Sequence, residues 1–228
     1  MSLNFTVGIF KYSSFENSTT CKIGDAIYKE CNNSGITDIN FNNTIKIPKF
    51  VYYNNIKYEV VEIGISAFRH CENITKVVIP QTIRIINVWA FDWLINCESF
   101  IFLPGSKLTT IKMNAFSRCY KIKTIVIPST VSSLEYASFA FMRSLRTFYI
   151  CGIPSIDNDI FYDAIKGKDE FAPDDLTIHV PFEFNGESTY RNYIKTYYNS
   201  ICDFVTHNSC NNIIFRNYNY LLFFIILV

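Results

Sequence analysis

Three histidines, at positions 70, 179 and 207, are the first residues to consult for chemistry in this chain of 228 residues. They stand in unrelated contexts, with no His-Glu-x-x-His pair to hold zinc, and no Gly-x-Ser-x-Gly elbow offers a nucleophile for one of them to activate. Only eight glycines are present, and none builds a loop whose backbone amides could cradle a phosphate. The eight cysteines include no Cys-x-x-Cys spacing, so neither a zinc knuckle nor a thioredoxin-like redox pair is indicated. Asp169, Glu170, Asp174 and Asp175 lack the alternating oxygen ligands of a calcium loop and read as a solvated acidic run. The residues point to no catalytic, cofactor-binding or metal site, and the expectation is a protein that binds rather than an enzyme.

Charge narrows the partner. Lys and Arg total 21 against 20 Asp and Glu, so no overall basic field draws in nucleic acid, and a protein partner is expected instead. The first residues, Met1 to Phe5, carry no basic leader, and Lys11 and Glu16 interrupt the chain before a long apolar run, so a cleaved signal peptide is not expected. At the other end Tyr220 to Val228 is uncharged but less than half the roughly 20 residues a bilayer span requires. It reads first as a truncated anchor through which membrane association could occur; a lipid-anchor signal, or a strand or helix packed on the body, are the other readings.

The elements that position any binding surface come from an internal repeat. Ala67-Phe68, Ala90-Phe91, Ala115-Phe116 and Ser138-Phe139 recur at spacings of 23, 25 and 23 residues. Each pair follows, by four residues, an aliphatic side chain: Ile63, Ile86, Ile111 or Leu134. Eleven residues after that aliphatic stand Ile74, Cys97, Ile122 and Leu145, and short apolar runs follow: Val77 to Pro80, Ile101 to Pro104, Ile125 to Pro128, and Phe148 to Ile150. The second unit carries two insertions, placed before Ile101 and within Gly105 to Lys107. A unit of about 23 residues cannot bury its own apolar face, so the units must stack. Each run is expected to give one strand of a parallel sheet, ended by a proline that lacks the N–H to continue the ladder. Phe68, Phe91, Phe116 and Phe139 are expected to form an aromatic spine.

Weaker copies extend the pattern. Ile45 to Pro48 reads as an earlier strand, Tyr52 to Tyr58 as a hairpin turning at Asn54-Asn55, and Ile178 to Pro181 as a last strand after an insertion. The fold class is therefore a repeat solenoid of about six coils: a right-handed superhelix with a parallel sheet, roughly 25 to 30 Å long at strand spacing. Residues 1–44 are expected to form an N-terminal cap or a non-repeat segment, 45–181 the solenoid, and 208–228 the apolar tail. Tyr190, Tyr193, Ile194, Tyr197 and Ile201 fall at helical spacing behind Ser188, so a capping helix is expected within 182–207.

Alternation in the strands places one residue of each triplet outward. The outward column reads Lys46, Val78, Phe102, Val126, Tyr149 and His179, beside Lys76, Phe100, Thr124, Thr147 and Thr177. A contiguous aromatic and aliphatic patch on an open sheet face suits a protein partner, so Lys76, Val78, Phe100, Phe102, Thr124, Val126, Thr147, Tyr149 and His179 are the candidate partner-binding residues. Cys71 and Cys119 share a repeat position two units apart, too far to bond to each other, and read as core fillers. Cys21 with Cys31, and Cys202 with Cys210, are close enough to be bridged or to remain thiols. Asn-x-Ser/Thr triplets begin at Asn4, Asn17, Asn32, Asn42 and Asn73 and permit N-glycosylation in a secretory route.

The register Ile-x-x-x-Ala-Phe-x-x-Cys-x-x-Ile-x-x-Val-x-Ile-Pro, complete in Ile63 to Pro80 and again in Ile111 to Pro128, resembles the BspA-type leucine-rich repeat of bacterial and protist surface proteins. The likeness covers roughly 140 residues. It implies a non-enzymatic surface antigen or adhesin-like binding protein, at the cell surface or secreted. The residues alone leave a second reading open, an intracellular, cytoplasmic leucine-rich-repeat scaffold for protein–protein interaction.

Overall fold

A computed structural model describes residues 2–24, 43–157, 160–162, 176–181, 193–195 and 202. Its elements are strands joined by turns. Each repeat runs through a four-residue strand, a turn, a two-residue strand and a longer turn that carries the spine phenylalanine. The four-residue strands are β7 (Lys76–Ile79), β9 (Ser99–Phe102), β11 (Thr124–Ile127), β13 (Thr147–Ile150) and β15 (Thr177–Val180). The two-residue strands are β8 (Ile85–Ile86), β10 (Thr110–Ile111), β12 (Ser133–Leu134) and β14 (Ser155–Ile156). Stacking makes both sets parallel: β8, β10, β12 and β14 pair in sequence, as do β7 with β9 and β11 with β13 and β15.

The third side of each repeat has no strand, yet its backbone is also paired between neighbours. The amide of Phe68 donates to the Ala90 carbonyl at 2.8 Å, Phe91 to Ala115 at 2.8 Å, and Phe116 to Ser138 at 2.9 Å. This accounting explains the small residue before each phenylalanine, because Ala67, Ala90, Ala115 and Ser138 are fully enclosed and leave no room for a larger side chain. The spine follows. Phe68 and Phe91 stack at 5.2 Å, Phe91 and Phe116 at 5.4 Å, and Phe116 and Phe139 at 5.4 Å, all near parallel.

The first repeat is closed by antiparallel strands. Strands β1 (Asn4–Val7), β2 (Phe10–Ser14) and β3 (Thr20–Ile23) form a meander, and β3 joins β6 (Ile56–Ile63) in parallel. Strand β5 (Phe50–Tyr53) folds back on β6 through Asn54 and Asn55, both at positive φ, as a two-residue hairpin turn requires. The meander brings Phe10 edge-on to Phe68 at 6.3 Å, capping the spine. The approach is tight. A Cβ on Gly64 would sit 2.5 Å from the Gly24 carbonyl oxygen, which only glycine avoids. A further strand, β4 (Thr44–Lys46), lies parallel to β7.

Three expectations are corrected. First, β9 is shifted by one residue from the register expected: Val77 pairs with Phe100, Val78 with Ile101 and Ile79 with Phe102. Both inserted residues therefore follow the strand, in 104–107, where Gly105 takes a positive φ. Phe100 and Phe102 point inward, at 8 % and 4 % exposure, because that register buries two rings instead of exposing them. Second, the capping helix gives way, where its residues are described, to a strand: β16 (Tyr193–Lys195) runs parallel to β15, with Ile178 opposite Tyr193 and His179 opposite Ile194. An added strand satisfies the open N–H and C=O row of β15, whereas a helix bonds only to itself. Third, the cysteines pair differently. Cys202 is bonded to Cys151, Cys21 is a buried free thiol, and Cys71 is disulfide-bonded rather than a thiol filler, to a partner outside the described residues. The apolar tail 208–228 also lies outside them. Among the described residues no helix is long and apolar enough to cross a membrane.

Candidate functional site

The outward side of the four-residue strands is a flat surface of half-buried side chains. Thr124, Thr147 and Thr177 stand in one register row, and Val126, Tyr149 and His179 in the next. Regular parallel pairing spaces the members of each row by about 4.8 Å. The Tyr149 and His179 rings use this spacing to stack at 4.4 Å, 14° from parallel. That contact hides Nδ1 of His179, which has no hydrogen-bond partner, and burial pushes the imidazole below its ordinary range.

Toward the N-terminus the surface is less uniform than the sequence suggested. Lys76 and Val78 face outward and half-buried as expected, but their neighbours on β9 are Ser99 and Ile101, because Phe100 and Phe102 turn into the core. Phe100 sits edge-on between two spine rings, 5.1 Å from Phe91 and 4.6 Å from Phe116. The hydrogen-bonded ladder also stops here. Strands β4, β7 and β9 form one sheet, β11, β13, β15 and β16 another, and β9 does not pair with β11. The structure thus brings Thr124, Val126, Thr147, Tyr149 and His179 together, sets Lys76 and Val78 on the neighbouring sheet, and removes Phe100 and Phe102 from the surface.

A second row of side chains went unnoticed in the sequence. Two residues after each spine phenylalanine stand His70, Trp93, Arg118 and Phe141, all with φ between 56° and 64°. Their planar groups stack along the molecule: His70 on Trp93 at 5.2 Å, Arg118 over Trp93 at 5.4 Å and over Phe141 at 4.5 Å. Left-handed backbone is costly for such side chains, and both the stacking and the paired amides offset it: Trp93 donates to the Ser117 carbonyl and Arg118 to that of Ala140. Beneath the row, Asp92 is wholly buried. Nε of Arg69 donates to one of its oxygens at 3.0 Å and Nη1 of Arg118 to the other at 3.2 Å. The planar groups turn their faces to one another, so this row fastens neighbouring repeats together. The shared position two residues after each phenylalanine was the available signal; only the unlike chemistry of the four residues concealed it.

The thiols are quiet. Burial pushes Cys21 and Cys97 up to about 12 and Cys119 well above the usual thiol range, so none carries thiolate at neutral pH. Among the described residues no group of three His, Cys, Asp or Glu side chains is placed to hold a metal ion.

Comparison with known proteins agrees with this architecture. A leucine-rich repeat protein from Bacteroides ovatus is 23 % identical over 79 % of this chain and 48 % of its own, with a TM-score of 0.54. The T. pallidum leucine-rich repeat protein is 21 % identical over 76 % of this chain and 69 % of its own, with a TM-score of 0.57. At these identities the likeness is one of fold, and the chain spans about half the length of the Bacteroides protein. No curated protein matches it. Residues 53–168, which include the four spine phenylalanines and the turns that stack them, match the model of the BspA type leucine-rich repeat region in six copies, and the chain belongs to that family.

Proposed function

We propose that the chain is a protein-binding solenoid that works outside the cytoplasm, as a surface antigen or adhesin-like module, and captures its partner on the outward face of β11, β13 and β15. The observation that carries the binding site is the in-register array of Thr124, Thr147 and Thr177 beside Val126, Tyr149 and His179. It offers hydroxyl groups and apolar surface in adjoining rows on a rigid support, the combination of anchor and polar rim that protein interfaces use. Lys76 and Val78 extend the same face. The compartment is supported by the Cys151–Cys202 disulfide and the bonded Cys71, since disulfides persist in oxidising surroundings.

Substitution of Val126 by Asp together with Tyr149 by Ala tests the face. Capture of a surface-derived protein partner should weaken about tenfold or more, corresponding to one interface anchor. The melting temperature should move by no more than a few degrees, because both side chains are half-buried on the outward side of their strands and Val126 only packs against the margin of the core. Undiminished capture would move the site elsewhere.

A further inference from the structure

We propose a second binding surface, formed by the loops that lead into β11 and β13, which recognises a sulfated polysaccharide. Lys121 and Lys123 precede β11, Arg143 and Arg146 precede β13, and all four side chains are exposed. Stacking makes the loops neighbours: the amide of Arg146 donates to the Lys123 carbonyl at 2.8 Å. The cations are also held. The Arg143 guanidinium lies over the Tyr120 ring at 5.0 Å, and Nη1 of Arg146 donates to the carbonyls of Arg143 and Leu145 at 3.3 and 3.1 Å.

Among the described residues these four cations stand without a counter-charge. The other described arginines are ion-paired: Arg69 and Arg118 both with Asp92, and Arg84 with Glu59. Lys121, Lys123, Arg143 and Arg146 form no ion pair among the described residues. The same row continues toward the N-terminus into Glu98, which makes no ion pair with Lys123, so the positive patch is confined to the third and fourth repeats. A net charge of +1 does not erase it, because screening at physiological salt limits each charge to about 8 Å and the patch acts on its own surroundings.

The shape favours a glycan over a nucleic acid or an acidic peptide. Two cations from each of two loops, one strand spacing apart, match an anion row narrower than a duplex backbone. Fork-shaped guanidinium groups suit sulfate oxygens. The hydroxyls of Thr124 and Thr147, the residues that follow Lys123 and Arg146 in sequence, suit the sugar hydroxyls between sulfates. The four cations border the protein-binding face and lie outside it; only Thr124 and Thr147 are common to both, so charge reversal at the cations tests this surface alone.

The test is calorimetric titration of the full chain with a heparin oligosaccharide, at low and physiological salt. Wild-type protein should bind, with affinity falling as salt rises. Lys123→Glu with Arg146→Glu should weaken binding about tenfold or more, the sum of two exposed ion pairs. Lys49→Glu with Lys107→Glu makes the same change in net charge on exposed residues elsewhere and should leave binding intact. All variants should keep the wild-type melting temperature. Absence of wild-type binding at physiological salt, equal loss in the Lys49/Lys107 control, or equal affinity for desulfated heparin or a single-stranded oligonucleotide would each overturn the proposal.

Discussion

Asp92 shows how much a single buried charge does here. Its carboxylate is fully enclosed and receives Arg69 from the repeat before it and Arg118 from the repeat after it, so one side chain ties three repeats. Replacing it by alanine leaves two guanidinium groups against a void. The expected loss is about 3 kcal/mol, read by denaturant unfolding, with Phe68, Phe91 and Phe116 still stacked in the surviving fold. His179 is poised differently. Its folded-state value lies below the ordinary 6.5, so the neutral ring is the one the fold prefers. The unfolded chain therefore binds the proton more readily. Stability is full above pH 6.5 and declines as the pH falls from there through the lower folded value, after which the decline levels off. Urea midpoints measured from pH 8 to pH 5 should show this component in the wild type and lose it in His179→Asn. An identical pH dependence in both proteins would assign it to other groups.

At the scale of elements, the spine was legible because its residues are alike. Ala-Phe recurring near every 23 residues identifies both the turn and the core position, and the structure stacks those rings as the spacing requires. Register in β9 was not legible. Phe100, Ile101, Phe102 and Leu103 are all apolar, so either alternation is chemically acceptable, and alignment on Pro104 chose the wrong one. Counting nine residues from Phe91, as Phe68 counts to Val77, selects the observed pairing. The strand β16 was hidden for another reason: Tyr193 and Ile194 fit helical spacing, but the unpaired edge of β15 is a property of the stack and appears in no local pattern. The register makes a sharp prediction. Deleting Lys107 from the 104–107 loop should cost little, about 1 kcal/mol or less, since it brings the loop to within one residue of the usual length. Inserting one residue between Glu98 and Ser99 should cost several times more, because it exchanges every inward and outward side chain of β9. Thermal unfolding of the two variants gives the comparison.

Taken whole, the molecule separates the cysteines among its described residues into two populations. Cys151 and Cys71 are in disulfides, while Cys21, Cys97 and Cys119 are enclosed thiols. In native protein these three should resist a thiol-directed alkylating reagent at neutral pH, and unfolding without reductant should expose all of them to it. Rapid labelling of Cys97 or Cys119 in the folded state would contradict the burial described. Replacing Cys151 and Cys202 by alanine should lower stability by about 3 kcal/mol, a typical contribution for a disulfide of this kind, without disturbing the spine.

The stacked phenylalanines have a genetic consequence. The upper surface of one repeat has nearly the same shape as the surface it meets below, so a duplicated unit finds its seat already prepared. Recombination between copies displaced by one unit lengthens or shortens the protein in steps of about 4.8 Å while leaving every other joint intact. Reach is thereby a heritable quantity, set by copy number, and a lineage can adjust how far this surface extends without inventing a new contact.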